Sequence, residues 1–399
     1  MKRFLSVIMI LALALLCLAS CADEGGADGD SSLDVLTDTE KATEDTADDT
    51  SNDQGGEDEG DEPTGTKKQL RLNANTAGIH VFGKRVFQDR NYLACDYSGS
   101  GIEFVFESNG GELTVVTRTD GECRFLVTLD GNVLTFDGNA YATVNGDGNI
   151  VIPKLKTGKH TVKIIKLTGY ETARAAFRML EFYGTFLTKE VSVDKDMYVE
   201  FLGGSAAAGL GADGENAIEA YAYKIANSLD AEYTVMAMND NGLLANISAA
   251  YLCTSVKRDA NVAYDFALTP AVTVIHIGSN GQDAESFASS YLALCAEVKA
   301  NNGKLAKIVC VYSNADTVAV NAIASVSAEM GGEQSGIFTV GVDVKDSGIL
   351  TSAEQTALAD VISPVIEKAI AAEVTAGDVN VEIGDPDIKI DNNSPEWYQ

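Results

Sequence analysis

The sequence predicts a mixed architecture: an all-β sandwich followed by a three-layer α/β domain. Two periodicities and one compositional figure carry that prediction. Between residues 70 and 192, apolar and polar residues alternate in short runs separated by Gly and Asp turns, the pattern of half-buried strands in a sandwich. From residue 197 to 376, apolar runs of strand length alternate with segments of helical period, which marks parallel βαβ units. Apolar residues make up 45% of the 399. That is the share of a globular protein, and the length gives two domains room for separate cores.

The β elements come first. Ile102-Glu-Phe-Val-Phe106 and Leu113-Thr-Val-Val-Thr117 read as short alternating strands, and the Gly110-Gly111 pair between them reads as a turn. Phe125-Leu-Val-Thr-Leu129 runs into Asp130-Gly131, a hairpin signal, and a further strand runs from His160 to Leu167. Phe104 and Phe106 share one strand face, and with Tyr92 and Tyr97 they read as core, not as a platform for sugars. In the second half, strands are expected over 198–202, 271–277, 306–312 and 337–340. Helices are expected over 217–228, 286–301, 318–330 and 352–374, the last broken near Pro364. Residues 377–399 form an acidic tail holding Trp397, the only tryptophan.

Charge is distributed unevenly. The formal net charge is −30 and the pI about 4.3, a balance that repels phosphate backbones and excludes a nucleic-acid partner. Seventeen of the acids lie in residues 22–66, against one lysine. That segment has too little apolar surface to offset the entropy of ordering, and it reads as a disordered tether. Ahead of it, Lys2 and Arg3 precede an apolar run, residues 4–16, that is too short to span a bilayer. The run ends in Leu18-Ala19-Ser20-Cys21, which resembles the lipobox of bacterial lipoproteins. The resemblance implies a signal peptide over 1–21, cleavage before Cys21, and a diacylglycerol on its thiol. The chain would then be anchored to the outer side of the cell membrane. The body holds Cys95, Cys123, Cys253, Cys295 and Cys310. Their odd number and wide spacing read as buried free thiols, with Cys95–Cys123 the one pair placed for a disulfide. Three scattered histidines make no metal constellation, and no cofactor is expected.

Three blocks carry a family resemblance. Phe201-Leu-Gly203-Gly204-Ser205 leads through a small-residue loop to Gly209-Leu-Gly211, Gly278-Ser279-Asn280 follows the second long strand, and Asp346-Ser-Gly-Ile349 precedes the last helix. In order and spacing these resemble the blocks of the SGNH hydrolases. The sandwich ahead of them, with Gly83-Lys84-Arg85, Gly158-Lys-His160, Glu171 and Gly184, is similar to the jelly-roll half of carbohydrate esterase family two. The resemblance implies a jelly roll followed by a flavodoxin-like SGNH domain that removes acetyl groups from polysaccharides. It implies Ser205 as the remnant nucleophile and Asp346 as the remnant acid. Ser205, Gly242 and Asn280 would be the oxyanion donors. A polysaccharide is the implied partner.

The departures bear on activity. Gly204 and Gly281 stand where the family pattern has Asp, and Ile349 stands where it has the catalytic His. Isoleucine cannot take a proton, and losing one triad member costs about 10⁴- to 10⁶-fold in rate, roughly 5 to 8 kcal/mol of barrier. Of the three histidines, His80 and His160 lie in the β segment. His276 sits within an apolar strand, roughly 10 Å behind its active end at about 3.3 Å per residue, as a satisfied core residue. Asp283 and Asp346 are the carboxylates near enough in sequence to act as weak bases. The expected function is therefore that of a catalytically inert esterase relative in glycan binding or surface assembly. The alternative is a weak or altered esterase using Ser205 with an unidentified base.

Overall fold

The protein is described by a computed structural model covering residues 60–73, 76–83, 92–189, 195–238, 243–256, 261–264, 266–344 and 348–376. The expected leader, the lipid-anchor residue Cys21, residues 22–59 of the expected tether and the acidic tail lie outside the described residues, as do Gly242 and Asp346. The last residues of that tether, 60–66, are not a disordered spacer: Asp61 N–H donates to Leu155 O at 3.1 Å and Thr64 N–H to Asn109 O at 3.0 Å, so backbone pairing holds them against the β half.

Residues 67–186 form one antiparallel sheet of seven strands: β1 (Lys67–Arg71), β2 (Ile79–Phe82), β3 (Leu93–Cys95), β4 (Gly101–Leu129), β5 (Asn132–Val133), β6 (Ala142–Lys166) and β7 (Ala175–Phe186). The ribbon of β4 and β6 defines its shape. Ile164 pairs with Ile102 near the start of β4 and again with Val127 near its end. The long strand therefore curls until its two ends flank the same residues of β6, and the sheet closes over its own core. Phe104, Phe106, Val115, Phe125, Val162, Ile164 and Phe177 fill the interior, all fully buried. Gly110-Gly111 is not the turn that the dipeptide suggests. Both residues have positive φ (89° and 84°), and the pairing slips beside Gly111, yet β4 continues through them. Two left-handed residues within a ladder bend the strand without ending it. Asp130-Gly131, with φ of 52° and 81°, does turn the chain from β4 into β5.

The second half is built on a five-strand parallel sheet. Its strands are β8 (Tyr198–Gly203), β11 (Glu232–Ala237), β14 (Val272–His276), β15 (Ile308–Ser313) and β16 (Ile337–Val342), in the order β11-β8-β14-β15-β16. Two short hairpins, β9 (Leu210–Gly211) with β10 (Gly214–Glu215) and β12 (Cys253–Val256) with β13 (Asn261–Ala263), lie off the sheet. The helices are α1 (Ser205–Ala208), α2 (Tyr221–Ser228), α3 (Leu243–Tyr251), α4 (Ala284–Asn302), α5 (Thr317–Glu329) and α6 (Ser352–Ala371). Ala206, Ile225, Leu358 and Ile362 pack α1, α2 and α6 on one face. Ile247, Phe287, Tyr291 and Ile323 pack α3, α4 and α5 on the other. A sheet buried on both faces needs nearly continuous apolar strands, as β8 and β14 show.

Two expected helices differ from the pattern. The segment 217–228 is interrupted: Ala217–Glu219 is a 3₁₀ turn, Ala220 is extended, and α2 starts at Tyr221. The break leaves the Tyr221 N–H outside the helix ladder, where the side chain of Gln355 accepts it at 2.9 Å. Helix α6 runs through Pro364 unbroken. Pro364 lies on the exposed side of the helix, so the carbonyl it leaves unpaired can be solvated.

The halves share a core. Tyr92, Ala94, Tyr97 and Ala176 from the β half share a buried cluster with Leu202 and Ile275 of the parallel sheet and with Ile277 just after β14, and Tyr233 Oη donates to Gly99 O at 2.7 Å. The aromatics Tyr92, Tyr97, Phe104 and Phe106 are all core.

Candidate functional site

Strand order 2-1-3-4-5 reverses direction between β8 and β14. The carboxyl edge at such a switch point is where open α/β sheets bind ligands, because the following loops diverge there. Ser205 leaves this edge at the end of β8, and Asn280 leaves it four residues after β14. The loop ahead of α6 completes the rim: Leu350 N–H donates to Leu210 O at 3.0 Å, and Gly348 N–H donates to Ser205 Oγ at 3.1 Å. The structure thus joins Ser205 to the block that held Ile349. That isoleucine is 65% exposed, an unusual state for a large aliphatic side chain.

Ser205 opens a single turn of helix, not the open loop that its small residues suggest. Gly204 caps it with an extended backbone (φ −89°, ψ −160°) and no side-chain bond. Gln355, buried in α6, holds this turn: its side-chain amide donates to Ala206 O at 3.0 Å while its oxygen takes the Tyr221 N–H. One side chain therefore ties α1, α2 and α6 together beneath the serine.

Asn280 and Gly281 are the central residues of a tight turn closed by Gln282 N–H donating to Ser279 O at 2.9 Å. Their φ values of 48° and 81° are those of a type I′ turn, which asparagine and glycine adopt at least cost. Asp316 anchors the turn. It accepts from Ser279 N (2.7 Å) and Ser279 Oγ (2.8 Å) while capping α5 through Ala319 N (3.0 Å). Partial burial pushes the Asp316 carboxyl up, but the N–H groups of Ala319 and Ser279 outweigh it and hold the group below the usual carboxylate range. Asp283 is likewise occupied: it caps α4 by accepting Ser286 N–H at 2.9 Å, which lowers its pKa.

None of the three imidazoles, all among the described residues, meets Ser205 Oγ. His160 is held by Asp130 Oδ2 at Nδ1 (2.7 Å) and by Lys156 O at Nε2 (2.9 Å). His80 Nε2 lies 3.7 Å from Glu232, at the start of β11 and therefore at the opposite edge of the sheet from Ser205. His276 is nearer than its sequence position suggests. It is the last residue of β14, pairs in register with Gly203, and is 1% exposed. It is a core residue but not a satisfied one: neither ring nitrogen has a hydrogen-bond partner among the described residues, and its ring meets Tyr221 edge-on at 5.6 Å. Burial pushes its pKa down to about 4, so the ring is neutral at pH 7.

Several elements at this edge escaped the sequence reading. β11, α3 and α1 were not expected, although Glu232-Tyr-Thr-Val-Met-Ala237 is an apolar run of strand length. Gln355 and Asp316 carry no motif, since each acts by closing a contact between distant segments. Among the described residues, no group of three His, Cys, Asp or Glu side chains is placed to hold a metal ion. The cysteines Cys95, Cys123, Cys295 and Cys310 are all buried and free, so the possible Cys95–Cys123 disulfide is not formed.

No protein-family model matches the sequence, and no curated protein matches it. Solved structures do match. A family two carbohydrate esterase from Cellvibrio japonicus superposes with a TM-score of 0.65 at 17% identity, covering 76% of this chain and 99% of that one. A family two carbohydrate esterase from Clostridium thermocellum, solved with cellohexaose, gives 0.62 at 23% identity, covering 73% and 98%. An acetyl xylan esterase from the rumen bacterium Butyrivibrio proteoclasticus gives 0.61 at 16%, covering 75% and 98%. The fold of this chain, across both halves, is that of the family two carbohydrate esterases.

Proposed function

We propose that the chain is a catalytically inert relative of the polysaccharide acetyl esterases, serving in glycan binding or surface assembly. In this reading residues 70–192 are a jelly roll and residues 197–376 an SGNH-hydrolase-like domain. Ser205 is a remnant nucleophile, Asp346 a remnant acid, and Ser205, Gly242 and Asn280 a remnant oxyanion set. One observation carries the reading: Ser205 Oγ accepts a hydrogen bond from Gly348 N–H, one residue from the place where the family pattern has its base. A nucleophilic serine must lose its proton to a base as it attacks. Here the residue beside that donor is an exposed isoleucine, Ile349, which has no basic atom.

A cleft that no longer turns over can still bind. The Ser205 hydroxyl, the Asn280 turn and backbone N–H groups are suited to sugar hydroxyls or an ester carbonyl, and the fold similarity to an esterase solved with cellohexaose supports that role. Anchoring through Cys21, outside the cytoplasm, would hold the cleft at the cell surface. The fold similarity also favours a second reading, a weak or altered esterase using Ser205 with an unidentified base. Retention of the full chain on insoluble cellulose and acetylated xylan tests the first reading. Binding that weakens at least tenfold in Asn280→Ala is expected. Absence of retention on every polysaccharide would contradict it.

A further inference from the structure

Gly281, where the resemblance places an aspartate, makes an Asn-Gly pair at the tip of the turn after β14. A glycine puts no side chain between its own backbone nitrogen and the amide carbon of the asparagine before it, so that nitrogen can attack. The chain has five such pairs: Asn109-Gly110, Asn145-Gly146, Asn241-Gly242, Asn280-Gly281 and Asn302-Gly303. Asn241-Gly242 lies outside the described residues, and the structure separates the other four. Asn109 and Asn145 are held in the β4 and β6 ladder, and the nitrogens that would attack are engaged. Gly110 N–H donates to Ser108 Oγ at 3.0 Å, and Gly146 N–H to Thr119 Oγ at 3.0 Å. Asn302 ends α4 with its side-chain amide donating to Tyr251 Oη at 2.9 Å. Asn280 and Gly281 are both exposed, and a Cβ on Gly281 would meet nothing within 4 Å. Gln282 N–H to Ser279 O closes their turn. Asp316 fixes Ser279 on one side, and Asp283 caps α4 on the other. The two central residues can therefore swing open while both ends of the turn stay in place.

We propose that Asn280 is a deamidation site, singled out by the fold among the described Asn-Gly pairs, and that its modification removes the amide donor of the candidate cleft. The Gly281 nitrogen, its proton lost to base in solution, attacks Asn280 Cγ. A C–N bond forms and closes a succinimide ring, the bond from Cγ to the side-chain nitrogen breaks, and that nitrogen leaves as ammonia. Water then adds to one of the two ring carbonyls. Opening one way gives aspartate, and opening the other gives isoaspartate, whose backbone runs through the side-chain carbon. One water is consumed, one ammonia is released, and nothing is oxidised or reduced. Either product puts a carboxylate, which can only accept, where an amide could donate. Isoaspartate also adds a backbone atom to the turn. The modification is independent of the proposed function, whereas its effect on glycan retention rests on that reading.

The test is incubation of the folded full chain in warm, mildly alkaline buffer, with tryptic digestion and tandem mass spectrometry at intervals and a zero-time sample as background. The peptide spanning 259–299 carries Asn280, and conversion exchanges its amide NH2 for OH. In the folded chain Asn280 should convert at least tenfold faster than Asn109, Asn145 and Asn302. In guanidinium chloride the four rates should converge, because all four asparagines precede glycine. Gly281→Ala should slow conversion at 280 at least tenfold. Conversion at Asn280 no faster than at the other three in the folded chain overturns the inference, and this comparison lies within the wild type, so it holds even if the variant fails to fold. Retention on cellulose and acetylated xylan should fall in step with the converted fraction. Full conversion with undiminished retention contradicts the role of Asn280 in the cleft and not its deamidation.

Discussion

Buried, unpaired and neutral, His276 titrates in the direction opposite to most structural histidines. Its folded pKa of about 4 lies below the unfolded value near 6.5, so the unfolded chain binds the proton more readily. Stability from this residue is full above pH 6.5 and falls as the pH drops toward 4. The difference of roughly 2.5 units corresponds to about 3 kcal/mol. Urea denaturation at pH 7 and pH 4.5 should show this loss in the wild type and a much smaller one in His276→Phe. Equal slopes in both would contradict it. The two glycines in place of aspartates differ physically. Gly204 has an extended backbone that any residue adopts, whereas Gly281 is left-handed with open space where a Cβ would stand. At 204 an aspartate would meet no backbone strain, whereas at 281 the left-handed backbone would cost it about 1 kcal/mol.

Among the elements, the turn 279–282 and the start of α5 depend on one carboxylate. Asp316→Ala removes three acceptor contacts, two of them to backbone N–H groups. It should cost about 2 kcal/mol, read as a shift in denaturation midpoint. No shift would show that the clamp is not needed. Four of the five parallel strands and the long helices of this half were legible because burial on both faces writes a continuous apolar signature; β11 carries the same signature and was missed. The 3₁₀ break before α2 was not legible: Gln355 lies 134 positions from the Tyr221 N–H it accepts, and local periodicity cannot register such a partner. The same limit hid the course of β4, where Gly110-Gly111 has turn chemistry but the ladder on both sides carries the strand through.

For the whole molecule, the sequence marked a change of period near residue 197 but gave no sign that the halves share a core. Tyr97 and Ala176 pack with Leu202 and Ile275, and Arg124 of β4 donates to Asp213 O (3.1 Å) and Glu215 O (2.5 Å) of the β9–β10 hairpin. Calorimetry should therefore show one cooperative transition for both halves. Two separated transitions would mean the shared core contributes little. The candidate site was legible as a set of blocks, because sheet topology brings loops after β8, β14 and β16 to one edge whatever their residues do. At its centre Gly348 N–H donates to Ser205 Oγ beside Ile349, a side chain that cannot take a proton. Ester hydrolysis by the full chain tests that most directly. With a chromogenic acetate and with acetylated xylan, the wild type should release acetate no faster than Ser205→Ala. Brisk release that vanishes in Ser205→Ala would contradict the account.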